Sequence, residues 1–316
     1  MKQTLFTLIL LALMVSGCAT TSAQEISAPY FDTGVDPNAW VTIPAGEYPS
    51  GQMSHMVFVD TFKIMVTDVT VAQYAEFLNE ALAAGVIHVG DFEIHEGENI
   101  RQVHGVGGYY EGDPFDGYDH EEEIKAGDKI YVPFVDDGSL RLSFDGATFT
   151  PDEAYANHPM TMVSWFGANA YCEYYGARLP KELEWEKAAR GTERIGEYGL
   201  PYPWGEEIDG QYANYYASSD PYEKVFEKLG STTPVGFYNG KTYNGFTTHD
   251  AASPYGLYDM AGNVWQWMGD DYPDQHYRHM RGGSYYSYEI DLRVWKFNSA
   301  GPDYYSPAVG FRCAQD

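Results

Sequence analysis

Helical periodicity is scarce in this chain, and this scarcity restricts its fold more than any other feature. Apolar residues recur at helical spacing in three segments, at about Val71 to Leu82, Ala168 to Tyr175 and Lys181 to Arg190. Short runs of strand character, such as Trp40 to Tyr48, lie outside them, and 33 glycines supply turns. With few helices and many short strands in 316 residues, the sequence predicts one irregular α+β domain.

The first residues have the pattern of a bacterial lipoprotein signal. Lys2 precedes an apolar run from Leu5 to Val15, and Val15-Ser16-Gly17-Cys18 follows. We therefore expect residues 1–18 to be a signal peptide and Cys18 to carry a lipid. An ordinary signal peptide cleaved nearby is the alternative. Ala19, in place of Asp, favours the outer membrane, so the expected location is the cell envelope, with a lipid anchor.

Two cysteines remain once Cys18 is assigned to the lipid. An exported chain meets an oxidising environment, so Cys172 and Cys313 are expected to form a disulfide. In the chain-entropy model, closing so long a loop stabilises the fold by roughly 4 to 5 kcal/mol at most. Two unrelated buried thiols are the alternative.

The chain is strongly acidic, with 46 acidic and 19 basic residues and a formal net charge of −27. This charge excludes nucleic acid and anionic lipid surfaces as main partners, because both repel a polyanion. Membrane contact is therefore expected through the lipid anchor alone. The acidic cluster from Asp116 to Glu123 lacks EF-hand spacing, and His276 and His279 lack a clear third ligand. Solvated surface residues are favoured over metal ligands at both places.

Several motifs follow one another in a fixed order along the chain. They are Val163-Ser164-Trp165, Ala189-Arg190-Gly191, Gly262-Asn263-Val264-Trp265-Gln266-Trp267, Arg281-Gly282-Gly283-Ser284-Tyr285 and Gly310-Phe311-Arg312-Cys313. In this order they resemble the formylglycine-generating enzyme, or sulfatase-modifying factor, family. The resemblance covers about residues 40–82 and 158–316. It implies a single irregular C-type-lectin-like α+β domain over residues 40–316, with an insertion at about 85–156. We interpret residues 19–39 as a tether.

The resemblance also locates a missing catalyst. Catalytic members carry two cysteines, spaced C-x-x-x-x-C after the Arg-Gly-Gly-Ser motif, which bind copper and oxidise a cysteine of a client sulfatase. Here those positions fall on Ser287 and Leu292, near the groove positions Trp267 and Ser284. A serine hydroxyl cannot replace a soft thiolate and leucine has no donor atom, so copper is not expected.

Calcium is the cofactor that the resemblance implies instead. Family members hold it with the Gly-Asn-Val-Trp-Glu-Trp turn and with an Ala-Asn segment followed by an aspartate. Asn263 and Gln266 occupy the first site here, with an amide in place of the glutamate, and Asn214 and Asp220 match the second. Amide and carboxylate oxygens suit this hard cation. The alternative is that these side chains stabilise turns.

Aromatic side chains mark the expected ligand groove. The chain has 28 tyrosines and seven tryptophans, and those at the family's groove positions include Trp267, Tyr285, Tyr286, Tyr288 and Trp295. Rings with a polar tip give a large contact area at low entropic cost, which suits a peptide or a carbohydrate. Packing in the core is the alternative for many of them.

Three functions are compatible with these observations. The favoured one is an envelope lipoprotein with a sulfatase-modifying-factor-like domain that is not an oxidase and binds a peptide, a glycan or an envelope protein. The second is an enzyme after all, either a formylglycine-generating oxidase or another metal-dependent enzyme of the family. The third is a lectin-like receptor diversified by a retroelement, which would have template repeats and a reverse transcriptase gene beside it.

Overall fold

The computed structural model describes residues 29–95, 98–112, 126–133, 140–193, 199–216, 218–222, 231–270 and 277–316. The helices in these ranges are α1 (Val71–Ala83), α2 (Trp165–Tyr174) and α3 (Glu182–Arg190). The strands are β1 (Trp40–Ile43), β2 (Gly46–Ser50), β3 (His55–Val59), β4 (Phe62–Met65), β5 (Ile87–Val89), β6 (Glu93–His95), β7 (Glu98–Ile100), β8 (Val103–Tyr110), β9 (Gly127–Val132), β10 (Leu142–Phe144), β11 (Phe149–Pro151), β12 (Thr242–Tyr243), β13 (Phe246–Thr247), β14 (Trp265–Trp267), β15 (Arg278–Arg281), β16 (Phe297–Ala300), β17 (Val309–Gly310) and β18 (Ala314–Gln315).

The three predicted helices are present, and local sequence sets their ends. The Thr70 hydroxyl accepts a hydrogen bond from the Gln73 backbone N–H at 3.2 Å, and Gln73 Oε1 accepts one from the Thr70 N–H at 2.8 Å, which completes the capping box of α1. Ser164 caps α2 through its hydroxyl. Gly191, with φ of 75°, follows the end of α3. None of the helices in the described ranges is long and apolar enough to cross a membrane.

Two sheets bring distant parts of the chain together. In the first, β4 lies between β1 and β18 and pairs antiparallel with both. The second sheet has the order β16-β15-β14-β17, in which β14 pairs antiparallel with β15 and parallel with β17. The second sheet carries the groove described below.

The largest apolar cluster joins α1 and α2 to the second sheet. Its buried members include Phe77 on α1, Tyr171 on α2 and Phe311 beside β17. The predicted disulfide between Cys172 and Cys313 is present here; its Cα atoms are 5.6 Å apart and the two residues are 141 positions apart in sequence. The bond therefore ties α2 to the last segment of the chain.

The predicted insertion, residues 85–156, shares the main core. Strands β5, β8 and β9 form one sheet, and they bury Ile87, Val103 and Val132 in the cluster around α1 and α2. Phe149 on β11 exchanges two backbone hydrogen bonds with the Asn79 side chain on α1. The described part of the segment is thus an extension of the domain.

The structure differs from the prediction of a tether over residues 19–39. Phe31 is buried, with its ring centroid 5.9 Å from that of Tyr222, and the Thr33 hydroxyl donates to the Val235 carbonyl at 2.9 Å. The described residues from position 29 onward therefore pack on the domain. A few apolar residues are enough to pack a largely polar segment on the domain, and the average composition of the segment does not reveal them. The signal peptide and Cys18 lie outside the described residues.

Candidate functional site

A groove of about 640 Å³ lies over the second sheet. All four strands contribute to it: Trp265 comes from β14, Met280 from β15, Val309 from β17, and Phe297–Ala300 form the whole of β16. The loop that begins at Ser284 and the segment from Tyr304 to Ala308 complete the lining. Strand pairing therefore assembles the groove from segments that are separate in sequence.

The Arg-Gly-Gly-Ser motif sets the path of this loop. Gly282 and Gly283 have φ values of 97° and 74°, a region in which side chains are strained. In the turn that follows, Ser287 Oγ accepts from the Ser284 N–H at 3.0 Å and lies 3.2 Å from Ser284 Oγ. The Ser287 carbonyl accepts from the Tyr216 N–H at 2.9 Å. Ser287 thus both lines the groove and stabilises its loop.

The second family catalytic position does not line the groove. Leu292 is fully buried with Tyr202, Ala213 and Ala261. It also packs closely on Gly283, where a Cβ would lie 2.8 Å from Leu292 Cδ1. Ser287 and Leu292 offer copper one hard hydroxyl oxygen and no second donor, so they do not fit the metal.

Among the described residues, four aromatic rings are exposed at the groove. Tyr286, Tyr288, Phe297 and Tyr304 are 41%, 63%, 55% and 45% exposed, respectively. One face of Phe297 is covered by the His279 ring, with centroids 4.7 Å apart and planes at 24°. These rings offer apolar faces, and the tyrosines add hydroxyl groups, so the groove suits an amphipathic ligand.

Three aromatic residues predicted to bind ligand lie elsewhere. Trp267 is fully buried, and its Nε1 donates to the Val163 carbonyl at 3.2 Å. Tyr285 is also buried, which raises the pKa of its hydroxyl. Trp295 does not line the groove, and its ring lies 5.5 Å from the Arg190 guanidinium. Ring type alone cannot separate these residues from Tyr286 and Tyr288, because packing against distant segments decides which rings reach the surface.

The sequence did not point to four other polar residues of the groove, which are Asp291, Asn298, Ser299 and Ser306. Asn298 and Ser299 belong to β16, an edge strand whose short run of mixed polarity is a weak signal. Among the described residues that line the groove, none is Lys, Arg, His or Cys, and Asp291 supplies the carboxylate. The lining therefore suits a neutral or positively charged ligand better than an anion.

Gln266 lies in a buried polar network, the Gln266 network, which also contains Trp185, Arg312 and Asp68. Its Oε1 accepts hydrogen bonds from Trp185 Nε1 at 2.7 Å and from Arg312 Nε at 2.8 Å. Its Nε2 donates to the Asp259 carbonyl at 2.6 Å. The two donors occupy both lone pairs of the amide oxygen, and Arg312 places a positive charge beside it. Calcium does not fit at Gln266, and this part of the calcium prediction is corrected.

Arg312 is fully buried and is neutralised inside this network. Its guanidinium donates to Asp68 Oδ1 at 3.1 Å and to the Tyr258 carbonyl at 2.8 Å. Burial raises the pKa of Asp68 well above its ordinary value, while the Arg312 charge opposes that shift. The network therefore depends on one buried cation.

The other predicted calcium ligands are also hydrogen-bonded. Asn263 Oδ1 accepts from the Thr233 N–H at 2.9 Å and from Asn214 Nδ2 at 3.3 Å, which uses both lone pairs of that oxygen. Asp220 accepts from the Ser218 hydroxyl at 2.6 Å. Asn214 and Asp220 are buried and carry oxygens of the type that calcium prefers. Calcium at these two residues stays a prediction.

The remaining metal candidates do not form a site in the described structure. His279 hydrogen-bonds to Glu182, whereas His276 and the acidic cluster at 116–123 lie outside the described residues. Within the described ranges, no group of three or more His, Cys, Asp or Glu side chains is arranged to hold a metal.

Comparison with known proteins decides the family. A model of the sulfatase-modifying factor enzyme 1-like domain matches residues 32–316. The chain belongs to this family. PvdO from Pseudomonas aeruginosa has the same fold, with a TM-score of 0.52 at 20% identity over 92% of this chain and 98% of that one. CarF gives 0.51 at 20% identity over 88% and 97%, which agrees with the predicted α+β domain.

Relatives of this sulfatase-modifying-factor domain differ in their names and lengths. The formylglycine-generating enzyme of Mus musculus is 29% identical in an alignment 343 residues long, which covers 95% of this chain and 82% of that protein. The inactive C-alpha-formylglycine-generating enzyme 2 of Bos taurus is 37% identical over 163 residues, or 49% of this chain and 50% of that protein. The serine/threonine-protein kinase Pkn1 of Chlamydia trachomatis is 37% identical over 183 residues, or 52% of this chain; the match spans a quarter of the kinase, 25% of its length.

The family motifs of the sulfatase-modifying-factor domain lie largely in its interior. Gln266 and Arg312 come from two different motifs and meet Trp185 of α3 in the Gln266 network. Tyr288 and Phe297, by contrast, are exposed at the groove and lie between motifs. Matching motifs therefore identify the fold, whereas the function depends on the groove residues between them.

Proposed function

We propose that this protein is an envelope binding protein that uses the groove to hold a peptide, a glycan or an envelope protein and does not oxidise it. A lipid on Cys18 anchors it, and calcium at Asn214 and Asp220 stabilises it. One observation carries the proposal: an open groove is present, while the family catalytic positions hold a turn serine, Ser287, and a buried leucine, Leu292.

The chemistry of the lining supports binding. Exposed rings such as Tyr288 and Phe297 stand beside amide and hydroxyl groups such as those of Asn298 and Ser306. Rings of this kind lose little conformational entropy on binding. The similarity to a relative named an inactive enzyme also supports the proposal. The buried disulfide suits an oxidising compartment.

A copper and oxygen assay tests the absence of oxidase chemistry. The chain from residue 19 is purified, loaded with copper(I) and given a Cys-x-Pro-x-Arg peptide. We expect no stoichiometric copper and no oxygen consumption above that of Ser287→Ala. Copper-dependent oxygen consumption that Ser287→Ala abolishes would show that the protein is an oxidase.

A pair of tyrosine variants tests the groove as the binding site. Tyr288 lies at the groove and is 63% exposed, and Tyr109, on β8 outside it, is 62% exposed. Wild type and both variants are applied to peptide and glycan arrays. Signals of the wild type should be lost in Tyr288→Ala and kept in Tyr109→Ala. Equal signals from the two variants would place binding outside the groove. If neither array gives a signal with the wild type, an envelope protein is the expected ligand, and a crosslinker placed at position 288 would identify it.

A further inference from the structure

A second cavity, of about 220 Å³, lies between β1, α1 and the end of α2 and shares no lining residue with the groove. Trp40 on β1 and Tyr171 and Tyr175 at the end of α2 give it aromatic walls. Glu76 and Glu80, one helical turn apart on α1, add two carboxylates. A water molecule takes up about 30 Å³ of the liquid, so the cavity has room for a group of several non-hydrogen atoms.

The walls of this cavity are held in place by other contacts. The Tyr171 ring stacks on Tyr74, with centroids 5.7 Å apart and planes at 17°. The Tyr175 hydroxyl donates to Glu80 Oε2 at 3.0 Å, which orients that carboxylate. Gln73, which also lines the cavity, is fixed by the capping box of α1. A site with fixed walls loses little entropy when a ligand enters.

The two carboxylates are accessible to a ligand. Glu76 and Glu80 are exposed, and neither belongs to an ion pair among the residues that the structure describes. Burial first, and then the charges of Glu76 and Glu80, raise the pKa of the Tyr171 hydroxyl. The cavity is therefore a place of negative potential in a chain whose net charge is already −27.

We propose that this cavity binds an alkylammonium group of the choline type. Ring faces attract cations, and Trp is the strongest ring for this purpose. The carboxylates of Glu76 and Glu80 add charge without closing an oxygen shell, as a bare metal cation would require. An alkylammonium group uses both features, because its methyl groups pack on Trp40 and Tyr175 while its charge faces the carboxylates.

The test compares choline with a neutral molecule of the same shape, 3,3-dimethyl-1-butanol. Calorimetric titration of the purified chain should show choline binding at least tenfold more tightly than the alcohol. Trp40→Ala and Glu76→Gln should each weaken choline binding at least fivefold. Glu47→Gln, which removes an exposed carboxylate outside the cavity, should leave it unchanged.

Further arms identify the source of the group and guard against misfolding. Vesicles of phosphatidylcholine distinguish a lipid headgroup from a free ligand. If the cavity binds the headgroup, the wild-type chain should sediment with the vesicles and Trp40→Ala should not. Glu76→Gln changes an exposed side chain, so it tests the site even if Trp40→Ala fails to fold. Tyr288→Ala should bind choline normally, because the groove is a separate site. No choline binding, equal binding of the alcohol, or equal binding by Glu76→Gln and Glu47→Gln would each overturn the proposal.

Discussion

Neighbouring residues of one strand serve two different regions of this molecule. Trp265 on β14 lines the open groove, whereas the next residue, Gln266, is fully buried and makes three hydrogen bonds inside the protein. Both regions are polar, but one satisfies its side chains internally and the other presents them to solvent. Gln266 and Arg312 of the network belong to the family motifs, whereas exposed groove residues such as Tyr288 do not, so the interior can stay the same while the side chains of the groove differ.

The Gln266 network is expected to be the more sensitive region. Arg312→Leu leaves the buried carboxyl of Asp68 without its cation and Gln266 Oε1 without one donor. Removing one partner of a buried ion pair costs about 3–5 kcal/mol, and urea unfolding should show a loss of that size or no folded protein. Asp316→Asn breaks an exposed ion pair with Arg178 and should cost no more than about 1 kcal/mol. Similar losses in the two variants would contradict a structural role for the network.

The disulfide should have the next largest effect. Replacing both Cys172 and Cys313 with Ala removes a cross-link over 141 positions and should lower the free energy of unfolding by about 2–5 kcal/mol. Thiol titration of the denatured, unreduced chain from residue 19 checks the bond directly. We expect no free thiol, and two would show that the cysteines are not paired.

The effect of calcium on the melting temperature should differ between variants at the two predicted calcium sites. At about a hundredfold excess over Kd, a ligand of the folded state stabilises it by roughly 2.7 kcal/mol, so calcium should raise the Tm by several degrees. Asp220→Asn should remove most of this gain, and Gln266→Glu should leave it in place, because Gln266 faces Arg312. Magnesium should stabilise less, since it holds its water tightly. Equal melting temperatures in calcium and in chelator would end the calcium assignment.

The carboxyl of Asp259, beside the Gln266 network, should give stability a smaller, pH-dependent contribution. Burial raises the pKa of this carboxyl from 3.8 to about 6, against a hydrogen bond from the Gly236 N–H and the charge of Arg312. Between those two pH values the unfolded chain loses a proton that the folded one keeps, so the stability from this group falls as pH rises. The free energy of unfolding of Asp259→Asn, minus that of wild type, should therefore increase across this window and stay level above it. Parallel pH curves would show that Asp259 titrates normally.

The groove should respond least in stability. Tyr288→Ala alters a side chain that is 63% exposed and should change the free energy of unfolding by no more than about 0.5 kcal/mol. Urea unfolding beside Tyr109→Ala measures this. A loss well above that of Tyr109→Ala would mean that the Tyr288 ring supports the loop, and the contrast between the two regions would weaken.

Local features were predictable from sequence, and long-range pairing was not. Thr70 and Gln73 act within one helical turn, so their capping box is readable in the sequence. Gln266 was assigned to calcium because its actual partners, Trp185 and Arg312, lie 81 and 46 positions away. No local sequence pattern predicts a contact between residues so far apart.

The groove shows the same limit. The Arg-Gly-Gly-Ser motif fixed the place of its loop, and the exposed Tyr286 and Tyr288 follow from it. Trp267 is buried because its ring packs in the main apolar cluster and its Nε1 donates to the Val163 carbonyl, 104 positions away in sequence. The polar residues of β16 were missed for a related reason. An edge strand is defined by having a neighbour on one side only, and the sequence of the strand does not show which strands pair with it.

The first sheet places the beginning and the end of the domain side by side, because β4 pairs with β18 at Ile64 and Ala314. A ribosome that adds about 5–20 residues each second therefore takes roughly 12 to 50 s to deliver the partner of a strand already made. During that interval β1 and β4 have no third strand, and the cysteine partner of α2 does not exist. Synthesis must therefore reach residues 313–315 before this sheet and the disulfide can both be complete, so the domain closes late rather than growing steadily from its first strand.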